Sequence, residues 1–253
     1  MTRTENADPV KDSSDDGPDR LFVERLSLTQ FRNYASVVVA PRDASVVLVG
    51  PNGAGKTNLL EAVSLLVPGR GMRRAPFADM PRIEGDGGWA VAARVHTRHG
   101  PVDVGTGQQP SPPGSRPPTG RLVRIDGDQQ GGSGVLAEYL EAVWLTPAMD
   151  GLFTGPASDR RRFLDRLVLC FDPGFRTLAS RFERATQARN RLLADGVRDA
   201  SQLRGVELVM AEAGTAVAAA RFSTISRLTA VIENRRARWE ESPFPWSLVH
   251  ISG

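Results

Sequence analysis

The chain has 253 residues, 40% of them hydrophobic and 24% charged, enough for one large folded domain or two small ones. No apolar run approaches the ~18 residues of a membrane span, and the polar opening MTRTENADPVKDSSDDGPDR lacks the apolar core of a secretory signal. Cys170 is the only cysteine, which excludes an internal disulfide and fits a reducing cytoplasm. The net charge of +3 permits nucleic-acid binding without demonstrating it.

Residues 1–20 are acidic and polar with little to bury, and read as a disordered tail. From Leu21, LFVERLSLTQFRNYASVVVAP gives two strand-like runs around FRNY. ASVVLVG is β-branched and apolar on both faces, which predicts a central, parallel strand. After it, Leu59, Leu60, Ala62, Val63, Leu65 and Leu66 form the apolar stripe of a helix that stops at Pro68-Gly69.

GWAVAARVHTR and RLVRIDGDQ read as strands of an antiparallel sheet, with a turn at Asp126-Gly127. Between them, residues 105–120 (GTGQQPSPPGSRPPTG) read as a surface loop. GVLAEYLEAVWLTPAMD predicts a short helix and then a strand ending near Pro147. Helices follow: SDRRRFLDRLVLCF, capped by Ser158 and stopped before Pro173; then FRTLASRFERATQARNRLLADG, ending at Gly196; then a long stretch from about Ser201 to Trp239. The last two predict an antiparallel helical hairpin.

Gly50-Pro51-Asn52-Gly53-Ala54-Gly55-Lys56-Thr57 matches G-x-x-x-x-G-K-[ST] in full, between an apolar strand and an amphipathic helix. Glycines let backbone N–H groups turn around phosphates, and the helix offers its N-terminal dipole. Lys56 supplies a point charge for the β- and γ-phosphates, and the Thr57 hydroxyl is placed to hold Mg²⁺. The expected ligands are therefore ATP and Mg²⁺. The only lysines are Lys11 and Lys56, so no Asn-Lys-x-Asp base-reading motif follows the loop, which argues against a typical GTPase.

Hydrolysis needs a second acidic group at the end of a neighbouring apolar strand. LVLCFD, ending at Asp172, lies in a helical pattern, and so does VELVMAE, ending at Glu212. No catalytic residue is identified, because the acid that would pair with the P-loop is missing.

LSLTQFRNY, GPNGAGKTNLLEAV and GPASDRRRFLDRLVLCFDPGF together resemble the RecF family of bacterial recombination mediators, from about Leu21 to the end of the chain. The resemblance implies an α/β P-loop NTPase head of ABC/SMC type. It has an ATP-binding lobe I built on a mixed sheet (residues 21–150, with the loop 105–120) and a helical arm as lobe II (residues 151–242). Residues 243–253 read as a strand returning to lobe I, with the remainder absent. A serine-glycine signature segment and an acidic LLLDE-like strand are not found, so the chain reads as truncated.

The family resemblance also implies binding of single-stranded and gapped double-stranded DNA, RecO and RecR as partners, and an ATP-dependent homodimer. It implies loading of recombinase at gaps in DNA repair, replication restart and the SOS response to DNA damage, in the cytoplasm and without a membrane. Weak ATPase activity is implied for the full-length protein; this chain alone is not expected to be competent.

Arg32 and Asn33 of FRNY either approach the nucleotide, as in related heads, or form a simple turn. Arg70, Arg73 and Arg74 either contact DNA phosphates or belong to a solvated loop. Arg160, Arg161 and Arg162 open a helix, where positive charge opposes the dipole, which favours a DNA or subunit contact. Arg235, Arg236 and Arg238 read as a polar face. His96 and His99 are spaced i, i+3 in a strand-like region with no acidic partner nearby, and no metal site is expected there. Cys170 reads as a small buried apolar residue. Two other readings are an ABC-type transport ATPase subunit, which would need a signature motif roughly 100 residues after the P-loop, and a small-molecule kinase, which would need a lid.

Overall fold

A computed structural model describes residues 21–41, 45–97, 99–112, 120–197 and 199–236. The readings of residues 1–20, 243–253 and Arg238 lie outside them, as do those of the Arg235 and Arg236 side chains. The chain divides into two compact units, one ending at Leu140 and the next starting at Glu141.

The first unit is built on a six-stranded sheet: β1 (Phe22–Phe31), β2 (Tyr34–Val39), β3 (Trp89–Thr97), β4 (Gly100–Gln108), β5 (Leu122–Ile125) and β6 (Asp128–Gln129). Their order is β2-β1-β3-β4-β5-β6, and every neighbouring pair is antiparallel. Side chains alternate across the pleat. Leu26, Leu28, Val91, Val95, Val102, Val104, Val123 and Ile125 are buried on one face. Ser27, Ala92, Gly105 and Arg124 stand in one row on the other.

α1 (Lys56–Ser64) is followed by Leu65, Leu66 and Val67, all buried. Arg121, just before β5, ties this segment down from within. Its guanidinium donates to the carbonyls of Leu65 and Val67 and to the Thr106 hydroxyl, and lies over the Phe77 ring. Both carbonyls lie past the last residue of α1, in a buried segment. Burial pushes the Arg121 pKa down to about 10, so the group is still charged at neutral pH.

Several expectations change here. The sheet is antiparallel throughout among the described residues, rather than mixed, because each link within it is a local hairpin or a return to β1. Residues 45–50 form no strand and pair with none among the described residues, so the expected central strand is not seen; Val47 is 84% exposed and Val49 is 89% exposed. A run apolar on both faces needs a neighbour on each side to become a strand, and no described segment supplies one.

The loop expected from residue 105 starts later, because Gly105–Gln108 complete β4. Gly107 is there for close approach: a methyl group at its position would run into the Trp89 carbonyl on β3. Residues 133–138 form a 3-10 helix, as expected in outline. No strand follows it; residues 141–146 are irregular up to a 3-10 turn at Pro147–Met149. His96 does have an acidic partner. Its Nε2 lies 2.7 Å from Glu24 Oε2 across the β1–β3 ladder, a proximity set by strand pairing rather than sequence distance.

The second unit is helical: α2 (Ala157–Phe171), α3 (Phe175–Ala194) and α4 (Ala200–Arg236). α3 and α4 form the expected antiparallel hairpin. Arg189 bonds Glu207 at its tip and Arg181 bonds Glu212 further down, each at 2.8 Å. Its core holds Val168, Phe175 and Val217, with Leu164, Leu178 and Phe182 packed against them. α3 ends in a Schellman motif, with Val197 N–H on the Leu192 carbonyl and Gly196 N–H on that of Leu193. α4 starts on Asp199, whose carboxylate accepts from the Ser201 N–H and hydroxyl.

Three readings of this unit are corrected. Ser158 does not cap α2; Pro156 holds the N-cap position with no side-chain bond. Cys170 is exposed, because the inward face of α2 is the one that carries Leu164 and Val168. Finally, Ala200–Asn234 does reach the length and mean hydropathy (1.2) of a membrane span. The alanines, threonines and glycine of its middle keep the charge low without forming a run of large apolar residues.

Candidate phosphate-binding site

The sequence between Val49 and α1 turns on three glycines, with φ of 155° at Gly50, 83° at Gly53 and 94° at Gly55. The last two lie in the left-handed region that favours glycine. No side chain caps α1, so the first-turn amides keep their donors turned to the loop. Lys56 Nζ donates to the Gly50 and Pro51 carbonyls at 2.6 and 2.7 Å. Pro51, Asn52, Gly53, Ala54 and Thr57 are exposed. A backbone concavity, an uncapped helix N-terminus, one ammonium and one free-standing hydroxyl suit a polyphosphate anion with a hard divalent cation.

FRNY forms the wall beside this loop. Arg32 and Asn33 are the two-residue link of the β1–β2 hairpin, whose last pair is Phe31–Tyr34. Gly55 is pressed against it: a methyl group there would overlap the Tyr34 hydroxyl and the Asn33 amide. Asn58 Nδ2 donates to Asn33 Oδ1 at 2.8 Å. Arg32 itself turns away from the loop. Its Nε and Nη2 fork onto the two oxygens of Glu61, at 2.9 and 2.7 Å, and Nη1 donates to the Asp79 carbonyl.

Arg73 joins the same cluster, donating to Glu61 Oε2 at 3.1 Å and Asn58 Oδ1 at 3.0 Å. Its side chain is thus ion-paired while 42% exposed. Arg74 is exposed, with φ 56°. Arg160 donates to the Gly155 carbonyl at 2.8 Å, and Arg162 bonds Asp159 at 2.9 Å. Backbone and carboxylate acceptors in the preceding turn thus account for two of the three arginines that open α2. Arg161 is exposed and belongs to neither pair.

Sequence reasoning missed Glu61. The signal was present: a carboxylate one turn after Asn58, inside the apolar stripe of the helix.

The fold and site define an α/β protein with a P-loop in one unit and a separate helical unit. A family model described as "AAA domain, putative AbiEii toxin, Type IV TA system" matches residues 45–88, the loop and the helix after it.

The chain is similar in sequence to proteins named RecF. It is 49% identical over 236 residues to the DNA replication and repair protein RecF of Mesorhizobium japonicum, and 48% identical to that of Rhizobium leguminosarum bv. trifolii. Each match covers 93% of this chain and about 60% of the relative, so the chain spans about three-fifths of the length of these proteins. The fold also matches two solved structures of the recombination mediator protein RecF in the RecFOR pathway, RecF-ATPrS and RecF-ATP. Their TM-scores are 0.74 and 0.71 at 18% identity, covering 88% and 87% of this chain and 59% and 58% of theirs.

Proposed function

We propose that the chain acts in recombinational repair and replication restart as an ATP-dependent DNA-binding protein, helping to load recombinase at single-strand gaps with RecO and RecR. The observation that carries this reading is the 49% identity to a RecF over 93% of the chain. The P-loop supports it, with a backbone shaped for phosphates. In this reading Gly50 to Thr57 bind the triphosphate of ATP, Lys56 leaves its loop carbonyls for the β- and γ-phosphates, and Thr57 holds Mg²⁺. Asn33 and Tyr34 flank the nucleotide, and ATP brings two copies together.

DNA is held mainly through its backbone, so binding falls with salt and shows weak sequence preference. The cytoplasm is the compartment. α4 works in the arm rather than in a bilayer: Arg221 forks onto Asp165 of α2, and Glu212 pairs with Arg181 of α3. A transport ATPase is not favoured, since strands and then long helices occupy the interval where its signature motif would stand.

The test is binding to gapped DNA with and without ATP, by the parent and by Lys56→Ala. ATP should strengthen binding by the parent and leave the variant unmoved. Equal binding in all four cases would sink the ATP-switch idea.

A further inference from the structure

The chain makes an unusual commitment at Arg32. It sits at φ 55°, in the left-handed region, inside a two-residue hairpin link where glycine is the ordinary choice. A residue held in that region needs surroundings that over-determine it, and such strain gathers at functional sites. Here the surroundings are explicit. The Arg32 N–H donates to the Met80 carbonyl at 2.8 Å, its Nη1 to that of Asp79, and its fork grips Glu61. Glu61 is wholly buried, yet both its oxygens are taken by arginines that keep part of their surface in water.

A buried carboxylate shared by two arginines is a poor stabiliser against an apolar replacement of the same shape. What it supplies is geometry. Asn58 and Glu61 lie one turn apart on α1, the helix that the phosphate loop begins. Asn58 holds Asn33, and Glu61 holds Arg32. Arg73 bonds both Asn58 and Glu61 and closes the ring. The Asn58–Asn33 and Glu61–Arg32 links join the hairpin turn to the P-loop helix, and the turn presses Asn33 and Tyr34 onto Gly55.

We propose that Glu61 is a positioning residue of the nucleotide site: through Arg32 it locks the Asn33–Tyr34 wall against the P-loop, with Arg73 as the second clamp. The inference rests on the nucleotide-binding reading above and adds to it a residue that touches no ligand.

The test measures Mg-ATP affinity by calorimetry for the parent chain, Glu61→Gln, Glu61→Asp, Arg32→Gln, the double variant Glu61→Gln/Arg32→Gln, and Lys56→Ala, with a thermal melt of each. Glu61→Gln and Arg32→Gln should each weaken ATP binding roughly ten-fold. The double variant should bind no worse than either single, because the two act through one another. Glu61→Asp, which keeps the charge, should recover part of the loss.

ATP affinity unchanged in a folded Glu61→Gln, with only the melting temperature lowered, would overturn the inference. So would single losses that multiply in the double variant. If Glu61→Gln does not fold, Arg73→Gln, altered at a half-exposed side chain, carries the test: a several-fold loss supports the clamp and parent-like affinity overturns it. Failure of the underlying reading looks different, since the parent itself would then bind no ATP, or Lys56→Ala would bind it equally well.

Discussion

Lys56 Nζ donates to the carbonyl of Gly50 at 2.6 Å, bridging the phosphate loop from its last turn to its first residue. The ammonium is thus held among backbone dipoles at the place where the phosphates would sit. Lys56→Ala removes a charge that a triphosphate would use and adds no bulk. ATP affinity should fall roughly 100-fold, as read by calorimetry, with little change in the melting temperature. A variant that binds ATP like the parent would remove the loop from the nucleotide site.

Arg121 predicts a stability loss far from any ligand. Arg121→Met keeps much of the volume but abandons the Leu65 and Val67 carbonyls in the interior. Buried acceptors without donors cost about 1–3 kcal/mol each at most. Urea unfolding should show a loss of roughly 2–3 kcal/mol. A shift under about 0.5 kcal/mol, the range of ordinary surface changes, would mean that water replaces the guanidinium.

Phe175 is 1% exposed, where the first turn of α3 meets Val168 and Val217. Phe175→Ala should cost about 3–5 kcal/mol, the range for emptying a large aromatic site. Native-state hydrogen exchange should place the loss in α2, α3 and α4 while leaving amides of the β-sheet protected. A uniform loss over both units would show that they unfold together.

The start of α4 should respond to acid. Hydrogen bonds from the Ser201 backbone and hydroxyl hold the Asp199 carboxyl below the ordinary aspartate value of 3.8. A depressed acid adds stability above its unfolded pKa and loses it as pH falls through the folded one. Asp199→Ala should therefore fray the first turn of α4 at neutral pH. The difference from the parent should vanish in strong acid, below 3.8. Exchange of the Ser201 and Gln202 amides measures it, and a difference that persists in strong acid would discount the cap.

For DNA, the arginines divide by their partners. Arg74 and Arg161 are exposed outside the pairs described above, whereas Arg160 is engaged by backbone carbonyls. Replacing Arg74 or Arg161 by Gln should lower DNA affinity across sequences and reduce the salt slope by about 1. Arg160→Gln should instead loosen the entry to α2. An unchanged slope in both exposed variants would move the DNA surface elsewhere.

Much of this was legible in the sequence because the signals are local. The P-loop has fixed spacing, Asp126-Gly127 turns a hairpin, and the 3.6-residue apolar pattern of α3 gives its buried side. What was not legible depends on partners distant in sequence. His96 meets Glu24, 72 residues away. Arg121 reaches the end of α1, 56 residues back. Glu61 looked like one polar residue in an apolar stripe, because its meaning lies in Arg32 and Arg73. The run Val46–Val49 was misread for the opposite reason: composition states what a segment can pair with, not whether a partner is present.

That run has a practical side. Val46, Val47 and Val49 are exposed in a run of β-branched and leucine side chains, the composition that pairs readily with any extended chain that drifts near. At the concentrations used for crystallisation or spectroscopy, the nearest such chain is another copy of the same molecule. The expected consequence of this exposed stretch is self-association that steepens with concentration and that a single charge placed at Val47 slows.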